Sequence, residues 1–176
     1  MIEVEAKIHV KNPENIRKKI RHIAEFKGRE KKTDDYYTLE RLNKYPIKSL
    51  RIRKSRGFHV INFKQFLSYK NGVYAKREFE FKINDLLDFL KLMRDFGFKK
   101  WLTKRKMSEK YEINRDFHIE LNYVKNLGWF LEIEYLTEKD INKARNRVLQ
   151  VIKKLGINKK NLVKRGYTKM LWDKMH

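Results

Sequence analysis

The chain has 176 residues, 41% of them hydrophobic and 13% aromatic, which suits one folded domain over residues 1–176 and excludes a disordered chain. It contains no apolar run of about 18 residues, as a membrane helix requires, and no apolar leader. Without cysteine it forms neither disulfides nor thiolate metal sites, so we expect a cytoplasmic protein with no membrane partner.

The formal net charge is +22, because 44 Lys and Arg face only 22 Asp and Glu. Such an excess predicts attraction to polyanions: nucleic acid, nucleotides, polyphosphate or an anionic membrane surface. A solvated lysine-rich surface, of the kind found in heat-adapted proteins, is the alternative. Charge alone does not choose among these partners.

Periodicity predicts the secondary structure, since alternation favours strands and spacing of three to four residues favours helices. The predicted strands, in chain order, cover 1–10, 33–39, 49–55 (ended by Gly57), 58–66, 73–83 after an Asn71-Gly72 turn, 101–107, 117–123 and 129–135. The predicted helices cover 13–26 (capped by Asn12, followed by the polar run 29–32), 85–96 (capped by Asn84, with Leu86, Leu87, Leu90, Met93 and Phe96 buried) and 141–155.

The first predicted strand places Glu3, Glu5, Lys7 and His9 on one face and aliphatic side chains on the other. An ordinary half-buried strand with its polar face in water has the same pattern. Repetition favours a different interpretation, because later strands align carboxylates in the same way. The three carboxylate pairs are Glu3 with Glu5, Glu78 with Glu80, and Glu132 with Glu134.

Basic side chains are aligned on strand faces too. Arg51 and Arg53 form a fork that suits phosphate oxygens, although a single basic strand can also serve to discourage aggregation. Alternation places Lys104 and Lys106 on one polar face, and one bulge would bring Arg105 there instead. The residues predicted to bind substrate are Lys7, Arg51, Arg53, Lys64, Lys76, Lys104, Lys106 and, by such a bulge, Arg105.

Aligned carboxylates and basic groups around one lumen indicate a site for metal ions and a polyanion. Mg²⁺ takes oxygen ligands and keeps water and phosphate oxygens in its remaining positions. The candidate metal ligands are Glu3, Glu5, Glu78, Glu80, Glu132 and Glu134. The basic groups would hold phosphates and stabilise the charge that develops in phosphoryl transfer, so the reaction class is metal-assisted attack of water on a terminal phosphate.

Other chemistries lack their motifs. The sequence has no Gly-rich phosphate loop, no Gly-flanked serine and no thiol nucleophile. Its five histidines have no zinc-binding spacing. His9 and His118 share strand faces with carboxylates, so a proton-shuttling role and a merely structural role both stay open for each.

The motif Glu3-x-Glu5-x-Lys7 resembles the ExExK signature of the CYTH domain, or triphosphate tunnel metalloenzyme, superfamily. An ordered series over nearly the whole chain strengthens this resemblance. Its members are Asp35-x-Tyr37, Leu50-Arg51-Ile52-Arg53, Lys64, Arg77-Glu78-x-Glu80, Lys104-Arg105-Lys106, Glu132-x-Glu134 and the ending Gly166-Tyr167-Thr168-Lys169-Met170-Leu171.

The resemblance implies an α+β fold: an eight-stranded antiparallel β tunnel barrel with a polar lumen and helices packed outside. It implies a triphosphate-bearing substrate and Mg²⁺ or Mn²⁺. By residue-to-residue correspondence it implies that Glu3, Glu5, Glu132 and Glu134 bind metal or hold metal-bound water. It implies that the phosphate ligands are Lys7, Arg51, Arg53, Lys64 and Lys104. Two positions depart from the family pattern: Asn122 replaces a frequent Asp, and Lys106 replaces the usual Arg.

The sequence therefore predicts a metal-dependent triphosphatase that hydrolyses inorganic triphosphate, with nucleoside or thiamine triphosphates as further substrates. We assign catalytic roles to Glu5, Lys7 and Glu134. One alternative is a class IV-type adenylyl cyclase, which converts ATP into cyclic AMP and pyrophosphate. Another is a non-enzymatic module that binds a polyanion or RNA, and a homodimer also stays open.

Overall fold

The computed structural model describes residues 1–54 and 58–176, and the strand break predicted at Gly57 lies outside them. The strands are β1 (Ile2–His9), β2 (Glu25–Thr38), β3 (Leu50–Lys54), β4 (His59–Lys70), β5 (Val73–Ile83), β6 (Lys99–Asn114), β7 (Phe117–Val124) and β8 (Gly128–Thr137). The helices are α1 (Pro13–Arg21), α2 (Leu86–Asp95), α3 (Ile141–Lys154) and α4 (Tyr167–Met175), with a short 3-10 helix at Lys159–Asn161.

Within the described residues the strands close into one antiparallel barrel, in the order β1, β5, β4, β3, β2, β6, β7, β8. The four described helices lie outside it. The predicted α+β class, with an eight-stranded antiparallel barrel and outer helices, is confirmed. None of the helices in this part of the chain is long and apolar enough to cross a membrane.

The main hydrophobic core lies between the barrel wall and the helices. Val4 and Ala6, on the outward face of β1, are fully buried in one cluster with Ile20 of α1 and Val148 of α3. Burial of such aliphatic side chains stabilises a fold by about 1.5–3 kcal/mol each. Because this outer layer supplies the apolar burial, the interior of the barrel is left free for polar side chains.

Helix α1 is shorter than its sequence pattern predicts. Asn12 caps it by accepting a hydrogen bond from a first-turn amide, and Pro13 follows in the first turn. The helix ends at Arg21, not near residue 26, because β2 begins at Glu25 and pairs with β6. The polar run 29–32, predicted as the helix terminator, is therefore part of a strand: cross-strand pairing outweighs its weak strand propensity.

Helix α2 rests on the barrel through a narrow stripe. Its cap is Asp85, whose carboxylate accepts a hydrogen bond from an amide of the first turn, and the prediction of Asn84 is wrong. Met93 is buried against β3 and β4 as predicted. Leu87 and Phe96 are 74% and 72% exposed, because the helix turns those positions away from the strands beneath it.

The outward, apolar face of β5 is only partly covered. Ala75 is fully buried, whereas Phe79 and Phe81 are 47% and 53% exposed. The Phe79 ring stacks on Phe63 of β4, with ring centroids 6.3 Å apart. Aromatic pairing between neighbouring strands thus takes the place of a covering helix at this point.

Candidate active site

Alternate residues of all eight strands point into the barrel and surround a cavity of about 470 Å³. Eight basic side chains line it: Lys7, Lys32, Arg51, Arg53, Lys64, Lys76, Lys104 and Lys106. Seven carboxylates line it as well: Glu3, Glu5, Glu78, Glu80, Glu120, Glu132 and Glu134. In the free protein most of these acidic and basic side chains pair with one another. A charged ligand can replace those pairs with contacts of its own.

The structure brings nearly all predicted site residues to this cavity, and one predicted substrate ligand lies elsewhere. Arg105 is exposed on the outer face of β6, because Lys104 and Lys106 alternate into the lumen without a bulge between them. His9 is exposed as well, with its ring edge-on to Phe130 at 5.3 Å. All six predicted metal ligands and the other seven predicted substrate ligands line the cavity.

The pairing of β1 with β8 places acidic and basic groups across from each other. Glu5 lies opposite Glu134, and Lys7 lies opposite Glu132, with 3.1 Å between Lys7 Nζ and Glu132 Oε1. Glu5 also pairs with Lys76 of β5. Burial opposes ionisation of Glu5, but the ammonium groups of Lys76 and Lys7 outweigh it and hold its pKa well below the usual range.

Glu134 differs from the other carboxylates of this wall. Among the described residues no hydrogen bond or ion pair joins it to another side chain. Burial raises its pKa, the charge of Lys64 opposes the rise and the carboxylate of Glu5 adds to it, which together give a pKa of about 7. A carboxyl group with such a pKa can take up a proton near neutral pH, which is the property a general base needs.

Glu3 is the other carboxyl group whose ionisation is disfavoured. Burial raises the pKa of Glu3 to about 9, even though Lys64 forms an ion pair with it. Glu78, 3.6 Å from the same ammonium group, has its pKa lowered to about 2: burial raises it, but a hydrogen bond to Glu3 and the charges of Lys64 and Arg51 outweigh burial. Glu3 and Glu78 therefore share one proton at this corner of the cavity.

On the opposite wall, Asp34 anchors the phosphate-binding candidates. It is fully buried and accepts hydrogen bonds from Arg53 Nε at 2.7 Å and from Arg53 Nη2 at 3.0 Å. Lys104 Nζ lies 3.0 Å from the same carboxylate and donates to the Tyr36 hydroxyl at 2.9 Å. The Asp34 carboxylate holds both cations in one orientation, so they are already positioned when a ligand binds.

Lys32, Asp34 and Glu120 are functional candidates that the sequence prediction missed as site residues. Lys32 Nζ and Lys106 Nζ donate to the two oxygens of Glu120, at 2.6 and 2.8 Å. Burial lowers the pKa of Lys32 to about 8. Lys32 lies just before the predicted strand 33–39, whereas β2 begins at Glu25, so a longer predicted strand would have included it.

Asn122 takes part in the carboxylate wall as a neutral group. Its Nδ2 donates to Glu132 Oε2 at 2.7 Å, and its Oδ1 accepts from the Ser108 hydroxyl at 2.5 Å. Lys106 Nζ lies 3.3 Å from the same Glu132 oxygen. An aspartate at position 122 would bring two carboxylates together, so the amide removes a repulsion and one possible metal ligand at once.

Aromatic side chains surround one opening of the tunnel. Tyr167, at the start of α4, places its ring 4.2 Å from Lys7 Nζ. Tyr45, from the loop between β2 and β3, hydrogen-bonds to Thr168 at 2.8 Å and packs edge-on against Trp101 at 5.6 Å. The loop and α4 are thereby joined above the basic wall, which narrows access to the lumen on this side.

A second cavity of about 250 Å³ meets the carboxylate wall from another side. Glu120, Glu132 and Glu134 line both cavities, so these carboxylates are approached from two directions. His118, which lies directly across from Glu134 in the β7–β8 pairing, lines this second cavity. It therefore lies near the carboxylate wall, as its strand face predicted, while His9 does not.

The donor set suits a hard divalent cation by its chemistry. Every acidic group in the lumen offers carboxylate oxygen, the ligand that Mg²⁺ and Mn²⁺ prefer, and the chain has no cysteine. In residues 1–54 and 58–176 no three His, Asp or Glu side chains converge on one point. Glu3, Glu5 and Glu132 are each held by a lysine, so a cation would have to replace these ammonium groups.

A closed antiparallel barrel with a doubly charged lumen of this kind defines a tunnel protein for a polyanionic ligand. The family model described as CYTH domain matches residues 1–167, and the chain belongs to this family. Members of the family act on triphosphates, as hydrolases or cyclases, and generally use divalent metals.

Individual relatives cover almost the whole chain. A Methanocaldococcus jannaschii protein provisionally named as an adenylate cyclase is 30% identical, over 97% of this chain and 98% of its own length. The solved structure of PH1012 from Pyrococcus horikoshii has a TM-score of 0.81 at 29% identity, covering 95% and 98% of the two chains. HpAC1 from Hippeastrum, a provisional adenylyl cyclase described as having a dominant triphosphatase activity, shares the fold alone: its TM-score is 0.67 at 14% identity, over 99% and 95%.

Proposed function

We propose that this protein is a divalent-metal-dependent triphosphatase that hydrolyses inorganic triphosphate inside the barrel. The observation that carries the proposal is the lumen, where eight basic groups and seven carboxylates surround one cavity. The basic groups suit the oxygens of a phosphate chain, and the carboxylates suit the divalent cations that accompany it. Nucleoside and thiamine triphosphates carry the same chain and are further candidate substrates.

The basic wall would bind the phosphate oxygens. Arg51 and Arg53 enter from β3, Lys64 from β4 and Lys104 from β6, so their charges converge from three neighbouring parts of the barrel. Lys104 is only 6% exposed, and an ion pair at such a site is worth more than one in water. Asp34 holds two of these cations in place before the ligand arrives.

The carboxylate wall would support the attack of water on the terminal phosphorus. A divalent cation held by these glutamates would neutralise phosphate charge and favour attack at phosphorus. Glu134 accepts the proton of the attacking water as the bridging phosphorus–oxygen bond breaks, giving phosphate and pyrophosphate. Lys7 would stabilise the charge that develops on the phosphate oxygens, and Glu5 would be among the glutamates that hold the cation.

The test compares Glu134→Gln with Glu138→Gln, a matched change at an exposed residue outside the barrel lumen. With inorganic triphosphate and Mg²⁺ or Mn²⁺, we expect phosphate release by the wild type and by Glu138→Gln. Glu134→Gln should release phosphate about 10²- to 10⁴-fold more slowly, the usual contribution of a general base. Full activity of Glu134→Gln would contradict the assigned role, and no release by any form would contradict the hydrolase itself.

The relationship to the M. jannaschii protein supports adenylyl cyclase as a second candidate. A cyclase joins the ribose 3′-oxygen to the α-phosphate and releases pyrophosphate, so ATP with Mg²⁺ or Mn²⁺ separates the two reactions. Cyclic AMP with little phosphate release supports the cyclase and overturns the hydrolase. A binding module without activity would turn over neither substrate, and its affinity for polyanions would be unchanged or increased by Glu134→Gln.

A further inference from the structure

The positive charge of the chain lies almost entirely outside the tunnel. Eight basic groups against seven carboxylates leave the lining with one surplus charge, whereas the whole chain has a surplus of 22. Binding of a small phosphate compound in the lumen therefore gives no reason for the remaining charge. The outer surface carries this charge and is itself a candidate binding surface for a polyanion.

The surplus is concentrated in one segment. Residues 141–172 contain ten Lys and Arg and no Asp or Glu. Heat-adapted surfaces combine lysine with glutamate in ion-pair networks, which this segment cannot form within itself. Five lysines of the segment are exposed and have no carboxylate partner among the described residues: Lys153, Lys154, Lys159, Lys160 and Lys164. We name these five residues the basic strip.

The basic strip ends at the aromatic opening of the tunnel. The backbone amide of Val163 donates to the carbonyl of Lys7 at 2.8 Å, which ties the strip to β1 beside the lumen. Leu162 packs on Gly72 in the turn between β4 and β5. The Tyr74 hydroxyl donates to the carbonyl of Lys164, so the last lysine of the strip adjoins that hairpin.

Aromatic rings continue the strip on the hairpin, where Phe66 is exposed and Tyr69 and Tyr74 are half-buried. Phe66 is 61% exposed and lies edge-on to Tyr74, with ring centroids 6.4 Å apart. Tyr69 packs on Tyr74 at 4.6 Å. Together these rings form a surface on which a planar base can stack, because each base offers a π face whatever its sequence.

We propose that the basic strip and the aromatic group of Phe66, Tyr69 and Tyr74 bind single-stranded nucleic acid at the rim of the tunnel, where the strip meets the hairpin of β4 and β5. Unpaired lysines attract the phosphate backbone, and the exposed ring of Phe66, supported by the half-buried rings beside it, selects a strand whose bases are free to stack. A duplex hides its base faces, and a vesicle surface offers charge without bases. The lysines of the basic strip lie outside the lumen, and of the aromatic group Phe66 and Tyr74 also line the rim of the cavity, so nucleic-acid binding does not require hydrolysis of triphosphate.

The test uses fluorescence anisotropy with RNA and DNA oligonucleotides of about 20 nucleotides, long enough to span strip and rings. Their 5′ ends carry hydroxyl groups, so no terminal phosphate is offered to the basic groups of the lumen. We expect both single strands to bind more tightly than a duplex of the same length or phosphatidylserine vesicles. Equal or tighter binding of the duplex or the vesicles would overturn the proposal in favour of a general or a membrane surface.

The variant K159A/K160A/K164A removes three charges from the strip, and the control K31A/K91A/R94A removes three from exposed positions elsewhere. Single-strand binding should weaken at least tenfold in the strip variant. The slope of log affinity against log salt concentration should fall in magnitude by about two, because each phosphate that the protein no longer neutralises reduces it by about 0.7. The control should keep the wild-type slope, and both variants should hydrolyse triphosphate at the wild-type rate, if the protein is a hydrolase. Equal weakening in both variants would show that only net charge matters.

Phe66→Ala separates stacking from charge. We expect it to weaken single-strand binding about tenfold, at the level of one base–aromatic stack, while the salt slope and duplex binding stay unchanged. A thermal unfolding curve like that of the wild type establishes that the ring is not needed for folding. Unchanged single-strand affinity would remove the aromatic group from the proposal and overturn the preference for single strands.

Discussion

At the scale of single residues, the amide of Asn122 decides how the carboxylate wall is held together in the free protein. It donates to Glu132 and accepts from Ser108, both inside the barrel. Asn122→Asp turns the donor into an acceptor and places two carboxylates in contact. We expect a loss of stability of about 1–3 kcal/mol at neutral pH, the cost of a buried group left unsatisfied.

Metal ions distinguish this charge effect from simple loss of the hydrogen bond. Mg²⁺ or Mn²⁺ should restore more stability in Asn122→Asp than in the control Asn122→Ala, because only the former adds an oxygen ligand. Lower pH should also reduce the penalty in Asn122→Asp, as one of the two carboxylates takes up a proton. Denaturant unfolding with and without metal measures both effects, and identical behaviour of the two variants would contradict the argument.

Asp34 gives a pH-dependent prediction at the same scale. Burial opposes its ionisation, but Lys104 and Arg53 outweigh burial and lower its pKa below the ordinary value. A lowered pKa stabilises the fold above the unfolded-state value of about 3.9 and loses that contribution as the pH falls below it. Asp34→Asn should therefore cost about 3–5 kcal/mol at pH 7, the usual result of breaking a buried charge pair.

The stability difference between wild type and Asp34→Asn should narrow steadily as the pH falls from about 4, the unfolded-state pKa of an aspartate. Unfolding in denaturant at a series of pH values measures it. A gap that stays constant down to the acid limit would mean that the carboxylate contributes by its shape and not by its charge.

The inward residues also show what alternation along a strand can predict. The six predicted glutamates and seven of the predicted basic residues reach the cavity because they alternate along their strands with the predicted parity. Arg105 enters the prediction only by allowing a bulge, and the pairing of β2 with β6 runs through that position without one. Alternation does not single out Asp34 and Glu120, because their ion-pair partners come from other strands, which no local pattern reveals.

At the scale of elements, tertiary pairing decides the boundaries that local spacing misplaces. The pattern of Ile20, Ile23 and Ala24 extends the helical stripe beyond Arg21, yet β6 draws the chain into β2 from Glu25 onward. The exposure of Leu87 in α2 has the same origin, since the curvature of the barrel leaves room for only one narrow stripe of the helix. The end of α1 and the exposure of Leu87 both depend on strands that are distant in the sequence, so no local sequence pattern predicts them.

Helix α1 is held to the barrel by a buried ion pair. Arg17 Nε and Nη2 donate to the two oxygens of Glu109, at 2.7 and 2.9 Å, and Tyr111 donates to the same carboxylate at 2.9 Å. The Glu109 side chain is 2% exposed. Arg29 Nη2 lies 3.3 Å from the same carboxylate but is 61% exposed. Arg17→Met should therefore destabilise the protein by about 1–3 kcal/mol, because it removes two of the hydrogen bonds to a buried carboxylate.

The double variant Arg17→Met with Glu109→Gln provides the control for this anchor. It removes both charges together, so it should be more stable than Arg17→Met alone if the cost comes from the buried carboxylate that has lost Arg17. Denaturant unfolding of the wild type, both single variants and the double variant gives the coupling between the two residues. Simple additivity would show that α1 is held by its apolar stripe alone.

At the scale of the whole molecule, the barrel holds nearly equal numbers of opposite charges away from water. Triphosphate alone meets the basic wall favourably but faces the repulsion of seven carboxylates. A divalent cation alone meets the carboxylates but has to replace the lysines that hold them, such as Lys64 on Glu3 and Lys76 on Glu5. When both enter together, each neutralises the repulsion that opposes the other, so their binding should be strongly cooperative.

This cooperativity can be measured on an inactive protein, Glu134→Gln, which should bind triphosphate while hydrolysing it too slowly to matter during the measurement. At saturation near 100 times the dissociation constant, a ligand stabilises the fold by about 2.7 kcal/mol. We expect triphosphate with Mg²⁺ to raise the unfolding temperature by more than the sum of the rises with triphosphate alone and Mg²⁺ alone. The same measurement on K159A/K160A/K164A in the Glu134→Gln background controls for triphosphate bound at the outer basic strip. A rise with triphosphate alone that equals the rise with both would mean that the lumen binds the phosphate chain without a cation, and the carboxylate wall would then need another role.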